Sequence, residues 1–188
     1  MLEAWELLRI HNHRLQSARQ VESPNHGLRP VAEDISLVVF HSISLPPGQY
    51  GGGEIERFFT NCLDVNEHPY FQEIEGMEVS AHLLIRRTGE VVQFVPFDRR
   101  AWHAGKSEYK GRSNCNDYSI GIELEGTDTD SFEEAQYQHL VTVVRALVDY
   151  YPGLGFDNIT GHSDIAPGRK SDPGSGFDWQ YFRKVLAS

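Results

Sequence analysis

The sequence has little cysteine and a shortage of positive charge, and each shortage excludes a class of protein. Two cysteines, Cys62 and Cys115, occur among 188 residues, which is too few for a disulfide framework. We expect both to be reduced thiols, as in a cytosolic protein. The 17 basic residues are outnumbered by 27 acidic ones, whereas a nucleic-acid-binding protein usually carries a basic face. The composition therefore predicts no nucleic-acid partner.

Long apolar runs are also missing. No segment approaches the roughly 18 consecutive apolar residues that suggest a membrane span. The N-terminal sequence "MLEAWELLRIHNHRLQSARQ" has no long apolar run and no small-residue cleavage pattern, so no signal peptide is predicted. We expect a cytoplasmic protein without a membrane partner. The length predicts one domain or two at most, and we treat residues 1–188 as a single domain.

The pattern of apolar residues predicts several short strands. A β-branched apolar run indicates a buried strand over 36–42, and two runs flanking "RRTG" indicate a hairpin of 78–85 with 90–97. Strict alternation predicts a strand over 118–125, and another short strand is expected near 158–161. A hairpin among alternating strands and helices predicts an α/β fold, with a mixed central β-sheet flanked by helices.

Helical spacing predicts three helices. Apolar residues in "EIERFFTNCL" favour a helix over 54–63. The clearest helix is expected to start at Ser131, because Ser131 and Glu134 fit a capping box, and to stop at Pro152. A last short helix is predicted over 178–186.

The stretch "TGHSDIAPGRKSDPG" concentrates polar and ionisable residues in a loop. It contains His162 and Asp172, while His41 ends the first predicted strand. Two imidazoles and one carboxylate are a recurring ligand set for catalytic zinc, with the fourth position left for water. Spacing alone does not establish a metal site: His41 could be an ordinary strand-end histidine, and Asp172 could simply begin a "DPG" turn.

Two acidic residues of the alternating strand are a second candidate feature. Glu123 and Glu125 point to the same side, so periodicity cannot choose between them, and either could be a solvated acid. Lys170 could equally be a surface lysine, and Trp102 could be ordinary core packing.

A family resemblance narrows these alternatives. The motifs "VVFHSISLPPGQYGG", "VSAHLLIRRTGEVVQFVPFDRRAWHAG", "CNDYSIGIELEGTD", "GHSDIAPGRKSDPG" and "FDW" occur in the order found in AmpD-type N-acetylmuramyl-L-alanine amidases. The chain resembles that family from about Ser23 to Trp179, and residues 1–22 form an N-terminal extension outside the clear match. The resemblance implies the fold shared with peptidoglycan-recognition proteins. It also implies hydrolysis of the amide between 1,6-anhydro-N-acetylmuramic acid and L-alanine during cytoplasmic recycling of cell-wall fragments.

The resemblance also implies roles for individual residues. His41, His162 and Asp172 match the positions that bind one zinc ion. Glu123 matches the catalytic glutamate, which would act as general base and then deliver the proton to the leaving amine. Lys170 matches a lysine that would stabilise negative charge on the tetrahedral intermediate.

Substrate contacts are expected from three further residues. Trp102 offers an aromatic face to the sugar or the L-alanine methyl group, and Ser42 stands where many relatives carry asparagine. Arg112 is a candidate for holding the stem-peptide carboxylates, with a solvated loop arginine as the alternative. His103 could orient a neighbour or contact substrate and is not assigned as a ligand. His82 is expected to be a wall or core histidine.

Two other functions remain open at this point. One is a peptidoglycan-fragment binding module with the same fold and no activity, and the other is an amidase that attacks intact cell wall. The full set of expected zinc ligands with Glu123 and Lys170 favours an enzyme. The long segment "LPPGQYGGGEIERFFTNCLDVNEHPYF" resembles the recycling branch. We therefore expect 1,6-anhydro-muropeptides as small-molecule substrates, one zinc ion per chain, and a monomer.

Overall fold

The computed structural model of the protein describes residues 9–188. Residues 1–8 of the N-terminal extension, and any prediction that falls on them, lie outside the described residues. The strands are, in chain order, β1 (Ile10–His11), β2 (Arg14–Leu15), β3 (Arg19–Gln20), β4 (His26–Leu28), β5 (Leu37–Ile43), β6 (Leu83–Ile85), β7 (Val91–Gln93), β8 (Arg99–Ala101), β9 (Glu108–Tyr109), β10 (Arg112–Ser113), β11 (Ser119–Glu125) and β12 (Ile159–Gly161). The helices are α1 (Glu54–Phe59), α2 (Pro69–Glu73), α3 (Glu134–Tyr150), α4 (His162–Ile165) and α5 (Trp179–Ala187). In this part of the chain no helix combines the length and apolar character that a membrane crossing requires.

Six strands form the central sheet in the order β12-β5-β11-β6-β7-β3. The pairs from β12 to β6 are parallel, whereas β6 and β7 are antiparallel and form the predicted hairpin. The edge strand β3 comes from the N-terminal extension and runs parallel to β7. The predicted α/β class with a mixed sheet flanked by helices is therefore confirmed.

The two faces of β11 contact different parts of the protein. Ile120, Ile122 and Leu124 lie in the largest apolar cluster, together with residues of α3 and α5. Phe40 on the neighbouring strand β5 belongs to the same cluster and stacks on Trp179 of α5 with ring centroids 5.5 Å apart. The opposite face of β11, predicted to carry the polar side chains, points towards the functional site.

The segment between β5 and β6 covers part of that second face. Phe58 and Phe59 of α1 and Phe71 of α2 form a separate apolar cluster with sheet residues such as Leu84 of β6. The helical spacing correctly predicted α1, but the helix ends at Phe59 rather than continuing to residue 63. Asn61 has φ of 60°, the left-handed conformation that commonly terminates a helix.

The predicted start of the longest helix is wrong. Helix α3 begins at Glu134 instead of Ser131, and Gln136 rather than Glu134 reaches back to the helix start. The Oε1 atom of Gln136 accepts the backbone N–H of Glu133 at 2.9 Å. Its Nε2 atom donates to the carbonyl oxygens of Ile85 and Glu125, so the buried glutamine also ties α3 to the sheet. These hydrogen bonds to the sheet determine which residues form the first turn of α3.

A charge network connects the segment between β5 and β6 to the sheet. Glu56 of α1 pairs with Arg19 of β3 at 2.6 Å and with Arg86, just after β6, at 2.5 Å. The hydrogen bond from Arg19 is the main reason that the pKa of Glu56 falls to about 2, with that from Arg86 adding to it against an opposing effect of burial.

We predict that Glu56→Gln destabilises the protein at pH 7, by about 2 kcal/mol, because hydrogen bonds to charged groups contribute roughly 1.5–3 kcal/mol. The pKa of Glu56 is lower in the folded protein than in the unfolded chain. Its contribution is therefore present above about pH 4.3 and is lost as the pH falls towards 2. Chemical denaturation at pH 7 and pH 3 would measure this difference.

The matched control is Glu73→Gln, which neutralises an exposed glutamate at the end of α2. We expect its free energy of unfolding to stay within about 0.5 kcal/mol of the unsubstituted protein. Equal losses in the two variants would contradict a specific role for the Glu56 network.

Candidate active site

The parallel pairing of β5, β11 and β12 brings three polar residues to one edge of the sheet. His41 on β5 is directly opposite Glu123 on β11. Gly161 on β12 is opposite Phe40 on β5, and His162 follows it immediately as the first residue of α4. Because the carboxyl ends of parallel strands meet at the same edge, this arrangement follows from the register.

The loop that carries Asp172 is held against this edge by Asp128. The carboxylate of Asp128 accepts hydrogen bonds from Ser42, at 2.9 Å, and from Ser171. Gly174 has φ of 75°, and a Cβ atom there would lie 2.2 Å from the carbonyl oxygen of Asp128. A side chain at that position would push the loop away. Sequence reasoning missed Asp128, since an aspartate in "GTDTD" follows no recognisable pattern.

His41, His162 and Asp172 converge on one point. Nδ1 of His41 lies 3.0 Å from Nδ1 of His162 and 3.1 Å from Oδ2 of Asp172. Nδ1 of His162 lies 3.0 Å from the same carboxylate oxygen. Both histidines are buried, with exposed fractions of 1% and 3%. These three residues could hold a metal ion.

The hydrogen-bonding environment supports a cation at this point. Nε2 of His162 lies 3.2 Å from the carbonyl oxygen of Ala104, which can only accept, so Nε2 carries a hydrogen; the tautomer with this single hydrogen has its lone pair on Nδ1. Burial is the main cause that lowers the pKa of His41 to about 4, so this ring is neutral at pH 7. In that tautomer the lone pairs of the two imidazoles and the carboxylate would repel one another, and a shared cation would relieve that repulsion.

Glu123 carries a buried carboxyl group. Its Oε2 atom is inaccessible to solvent and forms no hydrogen bond with any described residue. Burial, and then the charge of Asp172, raises the pKa of Glu123 well above its usual value, while the charge of Lys170 opposes the shift. A carboxyl group perturbed in this way beside a ligand cluster is typical of an acid-base catalyst.

Glu125 differs from Glu123 although both lie on the same face of β11. Its Oε1 accepts the backbone N–H of Gly51 at 2.7 Å, and its Oε2 accepts that of Arg87 at 3.0 Å. Glu125 therefore anchors the start of the segment between β5 and β6. The structure therefore distinguishes the environments of the two glutamates, which the periodicity of the sequence could not.

The pocket around the ligand cluster has a polar side and an apolar side. Ser42, Lys170 and Trp102 all line it, beside His103 and the residues of the cluster. The apolar side comes largely from the segment between β5 and β6, and consists of Leu45, Phe58, Phe59, Tyr70, Ile74, Met77 and Val79. Sequence reasoning did not identify this wall, because apolar spacing indicates a helix but not which surface it covers.

Arg112 is not among the residues that line this pocket. Its guanidinium group pairs with Asp34 and lies 3.8 Å from the centroid of the Tyr118 ring. The Arg112 side chain stays half exposed in this ion pair, and its role in holding peptide carboxylates stays a prediction. His82 is fully buried, as expected for a core histidine, and its Nδ1 accepts the backbone N–H of Gly121 at 3.0 Å.

The fold and site together define an α/β protein with a candidate metal centre and an adjacent acid-base carboxyl group. Residues 31–175 match the sequence profile of the family described as N-acetylmuramoyl-L-alanine amidase. The match covers more than half of the chain, and the protein belongs to this family.

Similar proteins agree with this assignment. The chain is 57% identical over 173 residues to the 1,6-anhydro-N-acetylmuramyl-L-alanine amidase AmpD of Escherichia coli, covering 92% of this chain and 94% of that protein. It superposes on a crystal structure of a selenomethionine derivative of AmpD with a TM-score of 0.91 and 55% identity, covering 94% and 98% of the two chains. The amidase AmiD of Escherichia coli gives a TM-score of 0.60 at 28% identity, covering 82% of this chain and 58% of that one.

We predict that Asp172→Ala weakens divalent metal binding at least tenfold, because two imidazoles alone make a poor site. Zinc binding to the metal-free protein, measured in competition with a chromogenic chelator, would test this. Asp157→Ala, at an exposed loop position, is the control and should bind normally. Unchanged affinity in a folded Asp172→Ala protein would rule out this aspartate as a ligand.

Proposed function

We propose that this protein is a zinc-dependent amidase that hydrolyses the amide between 1,6-anhydro-N-acetylmuramic acid and the L-alanine of a stem peptide. The observation that carries the proposal is the converging cluster of His41, His162 and Asp172 beside the buried Glu123. The Oε2 atom of Glu123 has no hydrogen-bond partner within residues 9–188. The identity of the substrate is supported by the similarity to AmpD, whose name specifies this bond. AmiD, a more distant relative, has been crystallised with anhydro-N-acetylmuramic acid-L-Ala-D-gamma-Glu-L-Lys.

The donor set favours zinc. Two imidazole nitrogens and one carboxylate, with a position left for water, are typical of catalytic zinc sites. The chemistry that such an ion supplies is polarisation of the amide carbonyl and acidification of a water molecule.

Glu123 and Lys170 would carry the proton transfer and charge stabilisation. The raised pKa of Glu123 allows it to take a proton from water and later to give it to the amine of L-alanine as the bond breaks. Lys170 borders the same pocket, where its ammonium group would stabilise the negative oxygen of the tetrahedral intermediate. One such donor contributes about 3 kcal/mol to transition-state stabilisation.

The two sides of the pocket suggest how the substrate is oriented. Trp102 and the apolar wall would pack against the sugar and the L-alanine methyl group. The hydroxyl hydrogen of Ser42 is donated to Asp128, so its oxygen keeps lone pairs that can accept from a substrate N–H. We further propose that the enzyme acts as a cytoplasmic monomer in the recycling of cell-wall fragments, with no nucleic-acid or membrane partner.

We predict that the zinc-loaded protein releases free peptide from 1,6-anhydro-muropeptides and that exhaustive chelation abolishes this activity, which zinc restores. Peptide release can be followed by chromatography. Binding of the muropeptide without cleavage would instead identify a recognition module. Faster cleavage of reducing muropeptides would favour an amidase of intact cell wall.

We predict that Glu123→Gln retains zinc and lowers kcat about 10²–10⁴-fold, because the amide cannot exchange the proton that the reaction requires. Zinc content and steady-state kinetics, measured on the same preparation, would separate the two effects. Glu73→Gln again serves as the control. A variant with normal kcat would assign the base role to another group.

A further inference from the structure

The second ring nitrogen of His41 faces another histidine instead of solvent. Nε2 of His41 lies 2.9 Å from Nδ1 of His103. A metal-ligating histidine usually donates its other N–H to a carboxylate, a backbone carbonyl or water. An imidazole can either donate or accept, so the direction of this bond needs a further determinant.

A backbone carbonyl supplies that determinant. Ser119 lies with its Oγ 2.6 Å from the carbonyl oxygen of Cys115 and 3.0 Å from Nε2 of His103. Because the carbonyl can only accept, the serine hydroxyl donates its single hydrogen to it, and its oxygen accepts from His103 Nε2–H. The neutral His103 ring then has a lone pair on Nδ1, which accepts from His41 Nε2–H. Nδ1 of His41 is left with a lone pair that faces the ligand cluster.

The fold holds His103 in this position. Its ring lies against β11 at Gly121, where an added Cβ atom would come within 2.4 Å of the ring. The backbone N–H groups of His103 and Ala104 both donate to Oδ1 of Asn116, at 3.1 Å and 2.8 Å. The carbonyl oxygen of Ala104 in turn faces Nε2 of His162. The neighbouring residues His103 and Ala104 therefore contact both imidazoles. The His103 side chain contacts His41, and the Ala104 carbonyl contacts His162.

We propose, on the basis of the metal-dependent function proposed above, that His103 is a positioning residue of the metal centre. Together with Ser119 it keeps the hydrogen of His41 on Nε2 and thereby keeps Nδ1 available to the metal. Without an acceptor at Nε2, that hydrogen can move to Nδ1, where it must be displaced before a metal ion binds. The affinity for metal falls accordingly.

Three variants test the chain of hydrogen bonds. His103→Leu removes the acceptor, His103→Asn keeps an amide oxygen that can accept near the position of Nδ1, and Ser119→Ala breaks the chain one step further away. We expect His103→Leu to bind zinc about 10–100-fold more weakly in chelator competition, His103→Asn to recover part of this loss, and Ser119→Ala to bind more weakly than the unsubstituted protein. His139→Leu, at an exposed histidine of α3, is the control and should bind normally.

A second measurement separates positioning from a merely structural role. Long-range ¹H–¹⁵N NMR correlations of the metal-free protein at pH 7 should give a single Nε2–H tautomer for His41, and His103→Leu should populate the Nδ1–H form. An unchanged tautomer together with normal zinc affinity in folded His103→Leu would overturn the proposal. Should that variant not fold, the same result in Ser119→Ala would do so. Neither measurement uses a substrate, so an absence of amidase activity would count against the proposed function alone.

Discussion

The parallel pairing of β5 with β11 and β12 is the constraint on which the site depends. Direct pairing sets His41 beside Glu123, and the end of β12 delivers His162 to the same edge. A shift of one residue in either pair would turn the affected side chain to the opposite face, into the apolar cluster beneath α3. The alternation of Ile120, Ile122 and Leu124 against that cluster therefore fixes the register of the site as well as that of the sheet.

The candidate metal centre concentrates groups that repel one another. Two imidazole nitrogens and a carboxylate oxygen face each other within 3.1 Å, and the buried carboxyl group of Glu123 lies nearby. Burying such groups is unfavourable unless they find partners. The remaining nitrogens are therefore held by fixed acceptors, namely His103 for His41 and the Ala104 carbonyl for His162. A cation would supply the missing partner of the three ligand atoms, which the fold already holds close together.

The segment between β5 and β6 connects this polar edge to an apolar wall. The apolar cluster of this segment packs on the sheet. Glu125 of the sheet also accepts a backbone N–H of the segment, and Glu56 of the segment pairs with two arginines outside it. Apolar packing and hydrogen bonds thus both hold the segment between β5 and β6 in position. Apolar burial provides most of the favourable free energy, whereas the directional bonds determine where the wall stands relative to the ligand cluster.

The sequence by itself determined the fold class, the strands β5 and β11, the hairpin of β6 and β7, and the position of α1. These features follow from local periodicity, which depends only on the order of apolar and polar residues. The candidate metal ligands and Glu123 could be named from the sequence only because of the family resemblance, since their spacing alone was also compatible with residues that have no catalytic role.

Only the tertiary structure decided the start of α3, the difference between Glu123 and Glu125, the separation of Arg112 from the pocket, and the parts played by Asp128 and His103. Each of these depends on a partner distant in the chain: Gln136 reaches two sheet carbonyls, Glu125 meets Gly51, and Arg112 meets Asp34. Hydrogen bonds and ion pairs are short-ranged and directional, so they are settled only when the chain has folded and brought their two ends together.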